Sequence, residues 1–246
     1  MGRLANANVF DRFVASALKE RGNKIAYFMV DALRYELGVA LHKLIVDDGP
    51  ADLHAAYAQL PTITPVGMAS LLPGAQSELN LELADNALVP KLGSTPLVNV
   101  NHRMDFMRRQ FGDRFAEMLL SDFVRKKGNI PETADLLILR SQEIDNQLEH
   151  DPENTLSLIP KNLNLVRVAL HKLRGMGFRQ AVIAADHGFF LNQAEAGDVC
   201  SKPQGKWLNV HDRMMLGEGV ADANNFVLSS ERMGVSYRSK IKALSA

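Results

Sequence analysis

The run Ala181-Val-Ile-Ala-Ala-Asp186-His187-Gly188 constrains the fold of this chain more than any other stretch. Apolar residues stopped by a carboxylate, an imidazole and a glycine read as a short strand buried on both faces, the pattern of a parallel sheet covered by helices. In open α/β sheets ligands bind in the crevice beyond the carboxyl ends of the strands, so chemistry is expected at Asp186 and His187. A second run, Ile25-Ala-Tyr-Phe-Met-Val30, stops in the same way on Asp31. Two carboxylates at one sheet edge repel each other, and a bound cation removes the conflict.

Helical periodicity fills the space between these strands. Val9, Phe10, Phe13, Val14 and Leu18 make an amphipathic opening helix, and Leu33, Leu37, Ala40, Leu41, Leu44 and Ile45 make another that stops at Asp48-Gly49-Pro50. Asp52 to Gln59 reads as a further strand, leading into Leu60-Pro-Thr-Ile-Thr-Pro65, where two prolines fix the backbone around Thr62 and Thr64. Val66 to Leu72 reads as a short helix, which puts Thr64 at or beside its amino end, where free N–H groups favour an anion. From about 73 to 133 the periodicity is weak and broken by Pro73-Gly74, Pro90, Gly93 and Pro96, the pattern of an inserted cap, with helices expected within Met104 to Arg125. Sheet signals resume at Ala134 to Leu139, running into Ser141-Gln-Glu-Ile-Asp145, and Leu163 to Met176 is a helix feeding the strand before Asp186. The expectation is a single three-layer α/β/α domain over residues 1–246, its sheet mostly parallel, with the cap inserted. The tail from Lys240 lacks a clear structural stop, which fits a segment of a longer protein.

The polar residues collected at strand ends are Asp31, Thr64, Asp145, Asp186 and His187, with Glu149, His150 and His211 near by in sequence. Carboxylates with neutral imidazoles suit zinc or manganese, and about six such ligands can hold two ions roughly 3.5–4 Å apart. That arrangement suits phosphoryl transfer, because one cation eases ionisation of a hydroxyl nucleophile and the other meets the charge on the phosphoryl oxygens. Thr64 is the natural hydroxyl, with Thr62 its rival in the same loop.

Val30-Asp-Ala-Leu-Arg34, Leu60-Pro-Thr-Ile-Thr-Pro65, Ser141-Gln-Glu-Ile-Asp145 and Ala185-Asp-His-Gly188, in this order, resemble the PglZ domain of the alkaline phosphatase superfamily over roughly residues 24–220. The resemblance implies an alkaline-phosphatase-like core and a metal-dependent phosphoesterase, acting on phosphodiesters rather than monoesters, in a bacterial phage-defence system of the BREX type. Nucleotides or oligonucleotides are the implied substrates, other defence proteins the implied partners, and zinc, or else manganese, the implied ion, up to two per chain. By that likeness Asp31, Thr64, Asp186 and His187 hold one metal, and Thr64 attacks phosphorus to leave a phosphothreonine that is then hydrolysed. Asp145, a partner just after it and His211 hold the second, and Arg34 orients a phosphate. Related enzymes carry a histidine four residues beyond that aspartate; here Glu149 occupies the register, with His150 as the alternative. Sulfatases of the superfamily oxidise a cysteine or serine to an aldehyde, a change closed to Thr64, so sulfate ester hydrolysis is disfavoured.

Each residue also has a plainer reading. Asp31 alone is a cap for the next helix, Thr64 a turn residue before Pro65, and Arg34 a counter-charge to Asp31. His42, His54, His102 and His171 lack acidic partners at ligand spacing and read as structural or surface residues; Met104, Met107, Met214 and Met215 read as core filling, and Lys126-Lys127 as a solvated face. Glu149 in place of a histidine makes a catalytically inactive scaffold for defence partners the rival function. A flavodoxin-like nucleotide binder ranks third, since neither strong strand is followed by a glycine-rich phosphate loop.

Charge and cysteine content narrow the setting. Lys plus Arg and Asp plus Glu both number 28, so no basic excess steers the chain onto a nucleic-acid backbone. Cys200 is the only cysteine and cannot form an internal disulfide, the amino terminus lacks a secretory pattern, and no apolar run approaches the roughly 20 residues of a membrane span. A cytoplasmic protein without a membrane partner is expected.

Overall fold

The computed structural model describes residues 4–20, 22–84, 87–125, 130–189, 203–211, 214–220, 226–229, 232, 235–236 and 242–245. The chain opens on α1 (Asn6–Val9), a π-helical turn over Phe10–Val14 and α2 (Ala15–Leu18), which together lay Val9, Phe10 and Val14 on the main sheet. β1 (Ile25–Val30) is buried at every residue, and α3 (Tyr35–Ile45) packs Leu37 and Leu41 on the opposite face. The strand expected over Asp52 to Gln59 does not form a ladder: its one pairing is an isolated bridge between Tyr57 and Ala5. A strand's register is fixed by burying one face, and here Leu53 and Tyr57 remain 37% and 56% exposed.

α4 (Thr64–Ser70) and α5 (Ala75–Glu78) lead to a small sheet of β2 (Leu79–Ala84), β3 (Ala87–Leu92) and β4 (Thr95–Pro96), and then to α6 (Val100–Phe111). Next come β5 (Phe115–Leu119), α7 (Leu120–Arg125), β6 (Leu136–Ser141), α8 (Glu143–His150), α9 (Pro152–Gly175) and β7 (Gln180–Ala185). β8 (Gly205–His211), β9 (Met214–Gly219), β10 (Phe226–Ser229), β11 (Val235–Ser236) and β12 (Lys242–Ser245) follow.

The main sheet has the order β5-β6-β1-β7 and is parallel throughout. Alternate residues of β1 and β6 face opposite layers. Ile25, Tyr27, Met29, Leu136 and Ile138 meet Phe10, Val14, Met68, Leu71 and Met107, whereas Ala26, Phe28, Val30, Leu137 and Leu139 meet Leu41, Phe123, Val166 and Leu173. This is the expected three-layer α/β/α arrangement. The antiparallel sheet β10-β12-β9-β8 and the sheet β11-β2-β3-β4 are built from the remaining strands.

Phe115–Leu119, inside the stretch expected to be helical, is instead an edge strand of the main sheet. Phe115 packs into one layer while Ala116 and Met118 pack against the other, so apolar residues fall on both faces and imitate a helical mixture. The residues from about 73 to 133 therefore divide. The first part carries the small sheet and α6, and the last part, with Leu120 and Phe123 of α7, completes the main layers.

Candidate metal centre

Parallel register sets Val30 beside Ala185, so Asp31 and Asp186 are the next residues on neighbouring strands. Asp31 is 2% exposed, Asp186 0% and His187 3%. Among the described residues, these three form a cluster whose ligand atoms all lie within 4.8 Å of one another. His187 Nε2 stands 3.1 Å from Asp186 Oδ2 and 3.6 Å from Asp31 Oδ1.

Backbone groups fix each member. The Asp31 N–H donates to Ser141 O at 2.9 Å, which extends the ladder beyond β1. Ala32 then takes φ +55°, a left-handed conformation rare for a residue with a side chain and common at functional sites, and its N–H donates to Asp186 Oδ1 at 3.1 Å. The His187 N–H donates to the same oxygen at 2.8 Å. Oδ1 is thus held by two donors, while among the described residues the buried Oδ2 accepts no hydrogen bond. Burial pushes the Asp186 carboxyl above the usual carboxylate range, against the pull of His187 and the N–H donors. His187 Nδ1 lies 3.0 Å from Gly188 O, an acceptor, so in the neutral imidazole the proton sits on Nδ1 and the lone pair falls on Nε2. A carboxylate oxygen without a donor facing an imidazole lone pair is a donor set that fits a divalent cation.

Thr64 reaches this cluster through α4. Its Oγ1 lies 3.2 Å from His187 Nε2. One turn on, a Cβ built on Gly67 would stand 2.8 Å from Asp186 Cβ and 2.9 Å from Asp186 O, so only glycine lets α4 approach this closely. Residues three apart share a helix face, and the contact at Gly67 brings Thr64 to the imidazole. Asn6, 4% exposed, donates Nδ2 to Ala185 O at 3.0 Å and to Asp186 O at 2.8 Å, pinning the end of β7 from the amino-terminal helix.

Asp31 does not cap α3, whose N-cap is Arg34 with no side-chain cap. Nor is Arg34 the counter-charge of Asp31: its Nε lies 3.4 Å from Glu36, and its guanidinium stacks 4.8 Å over the Phe189 ring. A cavity of about 920 Å³ is lined by Arg34, Asp186 and His187 and continues along β7; among the described residues neither Asp31 nor Thr64 lines it. Asp145 lies half-buried in the first turn of α8, outside the three-residue cluster. Glu149 is on α8 and His211 ends β8, and both side chains lie outside the described set. His150 is exposed, with Nδ1 donating to Asn146 O at 2.8 Å. His171, expected to lack an acidic partner, lies 3.1 Å from Asp48 Oδ2 in a clamp between α9 and the turn that follows α3.

Residues that sequence reasoning missed complete the surroundings. Arg103 of α6 is only 7% exposed, and Asp31 and Asp186 are the opposite charges it feels. Arg140, at the same end of the sheet, donates Nε and Nη2 to Glu117 Oε2 at 2.9 and 2.7 Å. Nothing in the local sequence marks Asn6 or Arg103, since both act across more than 70 residues; Gly67, three residues after Thr64, was the one readable signal.

The family described as the BREX system PglZ alkaline phosphatase-like domain matches residues 9–243. No curated protein matches the chain.

Proposed function

Because the chain belongs to the PglZ family of alkaline phosphatase-like domains of BREX systems, we propose that it is a metal-dependent phosphodiesterase with Thr64 as nucleophile. Asp31, Asp186, His187 and Thr64 would hold one ion, zinc before manganese, and Asp145, Glu149 and His211 a second. Bound there, the ions supply positive charge to ease ionisation of the threonine hydroxyl and to meet the phosphoryl oxygens. The observation that carries the reading is Thr64 Oγ1 at 3.2 Å from the imidazole of a buried Asp-Asp-His cluster.

Thr64 gives up its hydroxyl proton to solvent and its oxygen bonds to phosphorus, while the bond to the leaving group breaks and the departing alkoxide takes a proton from water. Water then cleaves the phosphothreonine, restoring the hydroxyl and releasing a phosphate monoester. Gly67 and Asn6 act by position, one seating Thr64 and the other fixing the carbonyls of Ala185 and Asp186. Arg34, on the cavity beside Asp186, would orient the substrate from outside. Nucleotides or oligonucleotides are the substrates in this reading, other BREX proteins the partners, and the cytoplasm the setting. Among the described residues no helix is long and apolar enough to cross a membrane.

Purified protein given zinc or manganese is expected to hydrolyse bis-(p-nitrophenyl) phosphate. Thr64→Ala should lose about a thousandfold or more in rate while Asp31, Asp186 and His187 retain the metal, and Thr62→Ala should stay active. Equal rates in wild type and Thr64→Ala would dismiss the nucleophile. One observation favours the rival reading, a scaffold without turnover: Glu149 stands in the register where related enzymes carry a histidine. Metal-loaded wild type that binds the diester without hydrolysing it would select that reading.

A further inference from the structure

Arg103 is a buried charge with little company among the described residues. The residue is buried at 7% exposure, and its one hydrogen bond among the described residues, Nη1 to Leu97 O, is long at 3.4 Å. Among the described residues no carboxylate lies within ion-pair distance of it. The neighbouring Arg140 is satisfied by Glu117. A guanidinium presents five donors and keeps its charge at neutral pH, so a buried one with a single long hydrogen bond costs stability unless something else uses it. Burial lowers its basicity to about 10, still charged, with Asp31 and Asp186 opposing that fall.

Those two aspartates are the carboxylates that an ion would neutralise. One dication against Asp31 and Asp186 leaves the cluster neutral and Arg103 with a full uncompensated positive charge. A phosphodiester carries one negative charge, on two non-bridging oxygens whose spacing matches the guanidinium fork.

We propose that Arg103 binds the non-bridging oxygens of a singly charged phosphodiester, as a substrate-touching cation delivered by α6 from the segment inserted between Thr64 and the strand β5. The assignment rests on the phosphoesterase reading above, and it gives a ligand to a buried arginine whose one hydrogen bond among the described residues is long.

The test uses zinc-loaded protein in the Thr64→Ala background, so that bis-(p-nitrophenyl) phosphate binds without turnover, with affinity read by calorimetry. Arg103→Met is expected to weaken binding at least about tenfold, with zinc content unchanged and a melting midpoint no lower than its parent, because an unpaired charge has left the interior. Arg103→Lys should recover part of the affinity, since lysine supplies the charge without the fork. Undiminished affinity in Arg103→Met overturns the assignment. So does a fall in affinity that both variants share with a loss of zinc or a lowered melting midpoint, which would make Arg103 a strut of α6. The two readings fail separately. Wild type that binds the diester through Arg103 but does not hydrolyse it refutes the enzyme and keeps the assignment; Thr64-dependent turnover with normal diester binding in Arg103→Met does the reverse.

Discussion

A single hydrogen decides whether Thr64 meets its imidazole. Gly67 sits directly against Asp186, and a methyl there would come within 2.8 Å of Asp186 Cβ and 2.9 Å of its carbonyl oxygen. Neither side can yield cheaply, because Val66, Met68 and Ala69 are buried beside it and Asp186 is held by Ala32, His187 and Asn6. Gly67→Ala is therefore expected to cost about 1–3 kcal/mol by overpacking, read from urea unfolding, and to reduce diester hydrolysis although Thr64 is intact. Asn6→Leu leaves the buried carbonyl of Asp186 without its donor, with a comparable cost of about 1–3 kcal/mol and a weaker hold on metal by elemental analysis. The buried cluster of Asp31, Asp186 and His187 was legible because its members stand where apolar runs stop abruptly. Asn6 was not: its partners are 179 and 180 residues away, and a lone asparagine before a helix carries no mark of the strand end it will pin.

Elements assemble this site through contacts that periodicity does not encode. The uninterrupted burial of β1 made its apolar run readable, whereas β5 and the extended stretch 52–59 were exchanged in the reading. β5 places apolar residues on both faces and so mimics a helix, and 52–59 has strand-like residues but buries no face. β9 was missed for a different reason. Its glycines lower strand propensity, yet the Trp207 ring of β8 occupies the space a side chain on Gly219 would need. The clamp between α9 and the turn that follows α3 belongs to the same scale. Asp48 accepts from Arg167 Nε at 2.7 Å and Nη2 at 3.0 Å and from His171, and its backbone carbonyl accepts from Arg174. The Arg167 hydrogen bonds, before any other cause, draw the Asp48 carboxyl from 3.8 down to about 2. A lowered folded-state pKa stabilises above the ordinary value and is lost as pH falls through the depressed one. Asp48→Asn should thus be less stable than wild type at neutral pH, with the gap in urea midpoint closing as pH drops from about 4 toward 2. A gap of constant size across that range would show that the clamp acts by shape and not by charge.

At the scale of the whole molecule, the buried Asp186 couples folding to pH and, in the proposed function, to metal. Burial raises the folded-state pKa of Asp186, so the metal-free folded chain holds that proton more tightly than the unfolded chain does. The linkage then has the opposite sign to that of Asp48: this contribution is full below the ordinary carboxylate pKa of about 3.9 and is lost as pH rises toward the elevated value. A divalent cation needs the ionised carboxylate and the imidazole lone pair, so its binding strengthens as protons leave, and ligation stabilises the fold by about 2.7 kcal/mol at a hundred times the dissociation constant. The zinc-induced rise in melting midpoint should therefore be small near pH 5 and grow toward pH 8, measured by scanning chelated and zinc-loaded protein in parallel. Asp186→Asn, which keeps the shape and removes the ionisable oxygen, should abolish most of the rise and flatten its pH dependence. A zinc effect that is undiminished in Asp186→Asn would place the ion on other residues and separate the buried cluster from the metal altogether.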